Sequence, residues 1–424
     1  MREDFSSRLP APAAWASLDQ SWTTVQLCRT TAAQEPPVSV LTPPRTRSGT
    51  DPRGLAIGAG FAAQGLGYAA IMTSLPSSSA RWQLDAAAVA LIVLGTCVAA
   101  AVGSLLADLV AVRRGSRAAM CLALLVQAVT ILGIAVAPVF PVFLAAIVVY
   151  GVGLGMLDAA QNMQGVLHER SGGRALMGRF YAAYTAAAIV GALCMSAFLA
   201  SSGAITGALV VAAAVDAAVL VIGMLWLDPT RAARPAGAVD RAPLPRRRLV
   251  AVGMIVLVAF LLDSAVSTWS TAYLQTGLGV AAAIAPLGYA AYQGAILLTR
   301  LTTDPLESRL GRERLAALAL AAGVLGLVVV AAVPSAVGAI VGFAVAGLAT
   351  GALVPLAFSA AGTIVPARSD EVIARVNLFN YGGAVAGAVV LGLIAAGPSL
   401  GPAFLLPAVA LLLCLPLLRA LRPV

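Results

Sequence analysis

The sequence predicts an all-α membrane protein of twelve transmembrane helices arranged as two six-helix bundles. Of its 424 residues, 60% are hydrophobic and 11% are charged, whereas soluble domains average about 45–50% apolar and about 25% charged residues. From Gly54 onward, apolar segments follow one another, and each is long enough to cross a hydrocarbon core of roughly 30 Å. A short charged loop also recurs in the second half of the chain, which indicates two related halves.

The predicted spans follow a polar, Pro-rich segment at 1–53. This segment has no apolar core of the kind a secretory signal needs, and we expect a disordered cytoplasmic tail. An N-terminal bundle is predicted at 54–227 and a C-terminal bundle at 249–424, with a flexible cytoplasmic linker at 228–248. The twelve spans are predicted at 54–75, 86–107, 118–137, 141–163, 178–200, 204–227, 249–274, 281–302, 315–333, 336–359, 376–397 and 400–420.

Arginine alternates between the loops. The loops after spans 2, 4, 6, 8 and 10 are Arg-rich, whereas those after spans 3, 5, 7, 9 and 11 carry no charge. Because short Arg-rich loops stay in the cytoplasm, the pattern places both termini inside the cell. We expect a multi-pass protein of the cell membrane, that is, the inner or plasma membrane. The net charge of +9 is therefore explained by membrane topology, and we expect no nucleic-acid partner.

The charged loop has the same spacing in both halves. An Asp is followed by an Arg five residues on and by a Gly seven residues on, in Asp108, Arg113 and Gly115 and again in Asp304, Arg309 and Gly311. The same offset of 196 residues separates Arg179 from Arg375 and Gly191 from Gly387. Inherited halves keep their loop spacing after the apolar residues diverge, so a duplicated six-helix unit is predicted.

Composition also excludes several function classes. All 27 basic residues are Arg, so the chain lacks the Lys that a P-loop or a Schiff-base cofactor requires. The five cysteines have no metal-ligand spacing, and His168 is the sole histidine. We therefore expect no cofactor, no metal site and no enzyme activity.

Several stretches resemble the major facilitator superfamily. Gly103-Ser-Leu-Leu-Ala-Asp108, followed by Arg113-Arg114-Gly115, is similar to the inner-loop pattern of that family, with a longer interval between the Asp and the Arg. The segments 151–165, 263–274, 288–292 and 355–362 resemble the branch of fucose permease and of uncharacterised inner-membrane transporters of the YbjJ type. The resemblance implies a monomeric secondary transporter in the lipid bilayer that works by alternating access.

Three acids lie inside predicted spans: Asp158, Asp216 and Asp263. A charged carboxylate near the bilayer centre costs about 2.5–3.5 kcal/mol, so each is a candidate for function. Span 7 lines the central cavity in the resembling family, which implies that Asp263 contacts a substrate or a proton. Asp216 lies in a span that is peripheral in that family, which favours a helix-packing role over coupling.

Other polar residues are candidates for substrate contact. Asp158 and Asn162 lie one helical turn apart, and two interpretations stay open: they line the cavity, or the Gly151–Gly155 face packs on a neighbour while Asp158 pairs with Arg179. Hydroxyl and amide groups bind sugar-like solutes, and interhelical hydrogen bonding is the alternative, favoured for span 11. The remaining candidates are Tyr289, Tyr292 and Gln293 in span 8, Asn380 and Tyr381 in span 11, and Gln64 in span 1.

The charged loops are expected to form salt bridges that stabilise an outward-facing state. The residues concerned are Asp108, Arg113, Arg114, Asp304 and Arg309. The function predicted is proton-coupled transport of a sugar-like or other small metabolite. The alternatives are a drug or metabolite efflux antiporter and a membrane sensor with the same fold.

Overall fold

The computed structural model describes residues 51–172, 176–229, 244–365, 369–395 and 400–422. The predicted disordered tail therefore lies outside the described residues, as does most of the linker. The same holds for the loop arginines Arg174, Arg231, Arg234, Arg241 and Arg368.

The described chain is helical almost throughout, and its helices follow the predicted spans closely. The first set comprises α1 Pro52–Trp82, α2 Ala86–Arg114, α3 Ser116–Val136, α4 Phe140–Gly172, α5 Met177–Ser202 and α6 Thr206–Trp226. The second set comprises α7 Arg246–Ala272, α8 Pro286–Leu310, α9 Arg312–Ala332, α10 Ala336–Gly362, α11 Ser369–Ala395, α12 Leu400–Ala403 and α13 Leu405–Leu413. A π-helical turn at Tyr273–Gly277 follows α7, and a 3₁₀ helix at Leu415–Leu421 follows α13.

Within the described residues, ten helices are long and apolar enough to cross a membrane, or eleven if a bent pair at the C-terminal end counts as one span. This confirms an all-helical membrane protein but not a count of twelve. The polar side chains of α8 lower its hydropathy, so α8 is not among the ten. The predicted last span is broken and bends by 49° before the 3₁₀ helix, where Pro416 removes a backbone donor.

The two sets of helices pack in the same pattern. In the first set α1 packs on α5, α2 on α4, and α3 on α4 and α6. In the second set α7 packs on α11, α8 on α10, and α9 on α10 and α13. Each pair in one set has its counterpart in the other, which is the arrangement expected of two related six-helix bundles.

Two pairs of glycines show the repeat at the level of single residues. Gly115 (φ 89°, ψ 156°) and Gly311 (φ 77°, ψ 154°) join consecutive helices in a backbone conformation that other residues rarely adopt. A Cβ on Gly191 would lie 2.7 Å from the Leu66 carbonyl oxygen, and one on Gly387 would lie 2.2 Å from that of Leu261. Equivalent glycines thus serve equivalent contacts, as the 196-residue offset predicts.

We call the side that carries Arg113, Arg114, Arg309 and Arg312 the Arg-rich face. At the opposite face the two bundles are packed together: a Cβ on Gly392 of α11 would meet both Ala90 of α2 and Trp269 of α7 at 2.6 Å. The Ser196 hydroxyl of α5 also donates to the carbonyl oxygen of Ala283, before α8. The bundles are therefore joined tightly at the face away from the arginines.

Toward the Arg-rich face, aromatic side chains between the bundles are accessible. Tyr181 of α5 is 39% exposed and Tyr381 of α11 is 40% exposed. Asn162 of α4 and Asn380 of α11 are partly exposed. These accessible side chains come from both bundles and lie toward the Arg-rich face, and we call the region that they line the cavity.

Candidate functional site

The polar groups of the cavity come from helices of both bundles, and hydrogen bonds group them into two clusters. The first joins α4, α5 and α8. The Tyr181 hydroxyl donates to Asn162 Oδ1 at 2.9 Å, and the Asn162 amide donates to the Asp158 carbonyl oxygen at 2.7 Å. Arg300 Nη1 of α8 donates to Thr185 Oγ1 of α5 at 2.7 Å, which extends this cluster from one bundle to the other.

The second cluster is centred on Asp263 in α7. The Tyr292 hydroxyl of α8 lies 3.1 Å from Asp263 Oδ1, to which it donates, and 2.8 Å from Thr350 Oγ1 of α10. Tyr292 is fully buried, whereas Asp263 is only partly buried. Arg300 lies close enough to interact with the charge of Asp263, without a direct ion pair among the described residues. A partly buried carboxylate thus lies beside a buried tyrosine where α7, α8 and α10 meet.

Asp158 lies beside Gln64 of α1. The Gln64 side chain accepts a hydrogen bond from the Gln161 amide and donates to the Leu154 carbonyl oxygen at 3.4 Å. Asp158 makes no ion pair with Arg179, which is exposed. The Asp158 carboxylate of α4 therefore faces α1, whereas the glycine face of α4 packs on α2.

That glycine face is a packing surface. A Cβ on Gly151 would lie 2.5 Å from the Thr96 carbonyl oxygen of α2, and one on Gly155 would lie 1.8 Å from that of Ala100. The close approach of α4 to α2 thus requires glycine at both positions, as in other small-residue helix interfaces in membranes.

The other candidates differ in how far their side chains are exposed. Tyr289 is fully buried and packs with Ala69, Ala188 and Ala192, and its hydroxyl accepts from the Gln293 amide at 2.8 Å. Asn380 is partly exposed and Tyr381 is exposed. The Asn380 amide lies 3.4 Å from Asn377 Oδ1 on the same helix. Of the span 8 candidates, Tyr292 joins the Asp263 cluster, whereas Tyr289 and Gln293 form a separate hydrogen-bonded pair, and Asn380 bonds within span 11.

The loop residues predicted to form salt bridges are dispersed in this conformation. Asp108, Arg113, Arg114 and Arg309 are exposed, and none of them forms an ion pair within the described part of the chain. The side chain of Asp304 lies outside that part. When the Arg-rich face is open, the predicted salt bridges between the charged loops would be broken.

Asp216 in α6 lies away from the cavity, inside the first bundle. It is fully buried, and neither carboxyl oxygen has a hydrogen-bond partner among the described residues. A Cβ on Gly67 of α1 would lie 3.9 Å from Asp216 Oδ2. This setting supports a helix-packing role, because burying a charged carboxylate without partners costs several kcal/mol.

We expect Asp216→Asn to leave transport within about twofold of the wild type, and to leave the melting temperature unchanged or raised. Asn has the same shape, and removing an unsatisfied buried acid costs little. Flux into proteoliposomes and thermal unfolding in detergent are the measurements. Loss of gradient-driven flux in this variant would instead assign the coupling role to Asp216.

Several residues of the site had no signal in the sequence analysis. Tyr181, Thr185 and Thr350 contribute hydrogen bonds to the two clusters, but hydroxyl residues in apolar spans are common and usually bond within their own helix. Arg300 lies in predicted span 8 with Tyr289 and Tyr292 but was not singled out as a candidate. A charged residue inside a predicted span was the signal available for it.

Comparisons with known proteins agree with this architecture. The Major Facilitator Superfamily profile matches residues 57–345 and 252–424. An uncharacterized MFS-type transporter of Yersinia pestis is 30% identical over 349 residues, covering 81% of this chain and 89% of the relative. Membrane protein MosC of Rhizobium meliloti is 26% identical over 354 residues, covering 81% of this chain and 84% of MosC.

Solved structures share the fold. A variant of the nucleoside transporter NupG superposes with a TM-score of 0.71 at 14% identity, covering 87% of this chain and 99% of NupG. A bacterial homolog of the human lysosomal transporter Spinster, in an inward-facing and occupied conformation, superposes with a TM-score of 0.62 at 14% identity, covering 88% of this chain and 96% of that chain. At this identity the likeness shows the fold alone, and the fucose permease branch stays a prediction.

Proposed function

The chain belongs to the major facilitator superfamily, whose members are secondary transporters, and we propose that it carries a small metabolite together with protons. The observation that carries the coupling proposal is the placement of Asp263. It is a partly buried carboxylate inside a membrane helix, hydrogen-bonded to Tyr292 of the same bundle. An ionisable group at this depth is a candidate for proton relay by default.

The cavity supports a carrier that exposes its site to one side at a time. The bundles are packed together at the face away from the arginines, and Tyr181 and Tyr381 are exposed toward the Arg-rich face, which supports access to Asp263 from that side. Because short Arg-rich loops remain cytoplasmic, we assign the open side to the cytoplasm. An impermeant maleimide should label an Arg114→Cys variant in inverted vesicles, and labelling only in right-side-out vesicles would reverse this assignment.

The loop residues fit a role in the opposite conformation. When the Arg-rich face closes, Asp108 and the exposed arginines approach the other bundle, and ion pairs formed there would favour the closed state. We therefore expect Asp108→Asn to shift the population toward the conformation open at the Arg-rich face. Faster maleimide labelling of a Tyr181→Cys reporter, by roughly threefold or more, is the measurement. Slower labelling would contradict this role.

Solute counterflow in proteoliposomes tests the transport proposal. Vesicles are loaded with one unlabelled solute and exposed to a trace of the same solute in labelled form, across a panel of sugars, carboxylates and cationic dyes. A carrier gives transient accumulation of label even without an ion gradient. Binding without exchange would support the sensor alternative, and exchange of the dyes alone would support efflux.

A further inference from the structure

Arg300 lies in the membrane-spanning part of α8 and faces the cavity between the bundles. It is partly exposed, and its hydrogen bonds within the described chain are made by one nitrogen: Nη1 donates to Thr185 Oγ1 at 2.7 Å and to the Tyr181 carbonyl oxygen at 3.4 Å. Both acceptors are neutral groups of α5, so they orient the guanidinium without neutralising its charge.

The other two nitrogens of Arg300 have no hydrogen-bond partner within the described chain, and no carboxylate forms an ion pair with the residue. Asp263 is near enough to interact with its charge but is bonded to Tyr292 instead. A charged residue inside a membrane helix is costly, by about 2.5–3.5 kcal/mol at the helix centre. A partly exposed guanidinium in a membrane helix, with its Nε and Nη2 donors unpartnered among the described residues, is available to a ligand.

We propose that Arg300 binds the carboxylate of an anionic solute, and that this solute is the transported substrate. The proposal deepens the transporter function above and rests on it. Nε and Nη2 of a guanidinium together match the two oxygens of a carboxylate in a bidentate pair. Thr185 and the Tyr181 carbonyl oxygen hold Nη1, so that Nε and Nη2 stay available to a ligand.

The charges around Arg300 select a monoanion. Asp158 and Asp263 line the same cavity as Arg300. All three lie near enough to Tyr184 of α5 for their charges to interact with its side chain. One cation beside two acids does not compensate a phosphate dianion, whereas it can pair with a single carboxylate. A bound carboxylate and Asp263 would then share one guanidinium, and a proton on Asp263 would leave Arg300 to pair with the bound carboxylate alone. Anion and proton would therefore move together.

Matched pairs of anionic and neutral solutes test this site in the purified full-length protein. The probes are glucuronate with glucose, galacturonate with galactose, lactate with lactamide, and inorganic phosphate. Thermal unfolding in detergent detects binding, because a ligand that binds only the folded protein raises its stability. The same probes are used in counterflow. The variants are Arg300→Gln and Arg300→Lys, and Arg117→Gln at the start of α3 is the control.

The expected result is that at least one carboxylate raises the melting temperature and its neutral partner does not. Arg300→Gln should weaken that binding by roughly tenfold or more, Arg300→Lys by less, and Arg117→Gln not at all. Stabilisation by neutral solutes in wild type and Arg300→Gln alike would overturn the proposal, and so would stabilisation by phosphate alone or by no carboxylate.

The two proposals fail separately. Counterflow of a neutral solute that survives Arg300→Gln would leave transport intact and refute the anion site. Carboxylate binding that depends on Arg300 without any counterflow would support the anion site and refute transport.

Discussion

Asp263→Asn should abolish accumulation driven by a pH gradient while leaving the protein folded. The amide keeps the shape of the carboxylate and can still accept the hydrogen bond that Tyr292 donates at 3.1 Å, but it cannot carry a proton through the cycle. Coupling free energies between two ligands are typically about 1–3 kcal/mol, so accumulation should fall by roughly 5–150-fold. Solute uptake into proteoliposomes with an imposed pH gradient is the measurement.

Two controls distinguish a loss of proton coupling from a general loss of transport. Counterflow without a gradient should persist in Asp263→Asn, because exchange needs the binding site and not net proton movement. Asp216→Asn removes another intramembrane carboxyl and should keep full gradient-driven uptake. If Asp263→Asn accumulates solute normally while Asp158→Asn does not, then coupling resides in the first bundle.

Gly155→Ala should strongly destabilise the first bundle. The added Cβ would lie 1.8 Å from the Ala100 carbonyl oxygen, and a backbone carbonyl in a packed helix cannot move aside, so α4 and α2 must separate. Overpacking of this kind costs about 1–3 kcal/mol and occasionally more. The measurements are the thermal midpoint in detergent and the yield of monodisperse protein.

Gly95→Ala is the matched control, because Gly95 lies in α2 and a Cβ there would meet no atom within 4 Å. The same substitution should be neutral there or stabilise the helix by up to about 1 kcal/mol. Equal effects of the two substitutions would show that α2 and α4 are not in close contact at Gly155.

The sequence was informative about helices because a bilayer demands long apolar runs. Span 3 was predicted at 118–137, and α3 runs from Ser116 to Val136. The repeated Gly115 and Gly311 marked two turns that the structure shows to have nearly the same backbone angles. The π-helical turn at Tyr273–Gly277 and the break near Pro416 were missed, because hydropathy reports the length of a span and not its continuity.

The site was less predictable than the fold. Acids inside apolar spans stand out by their cost, so Asp158 and Asp263 were found. Their partners are set by helix packing: Arg300 and Thr185 lie 115 residues apart in sequence and meet across the two bundles. The alternative pairing of Asp158 with an arginine such as Arg179 is not formed in this structure, where Asp158 lies beside Gln64 and Arg179 is exposed. No spacing rule within one helix predicts such contacts.

Proton movement during solute uptake tests the central claim most directly. Proteoliposomes with a pH-sensitive dye outside receive each solute of the panel, with and without a protonophore. Proton-coupled transport predicts that a transported solute makes the external medium more alkaline, and that the signal is lost in Asp263→Asn. Solute that equilibrates across the membrane without any pH change, and without response to an imposed gradient, would contradict the account.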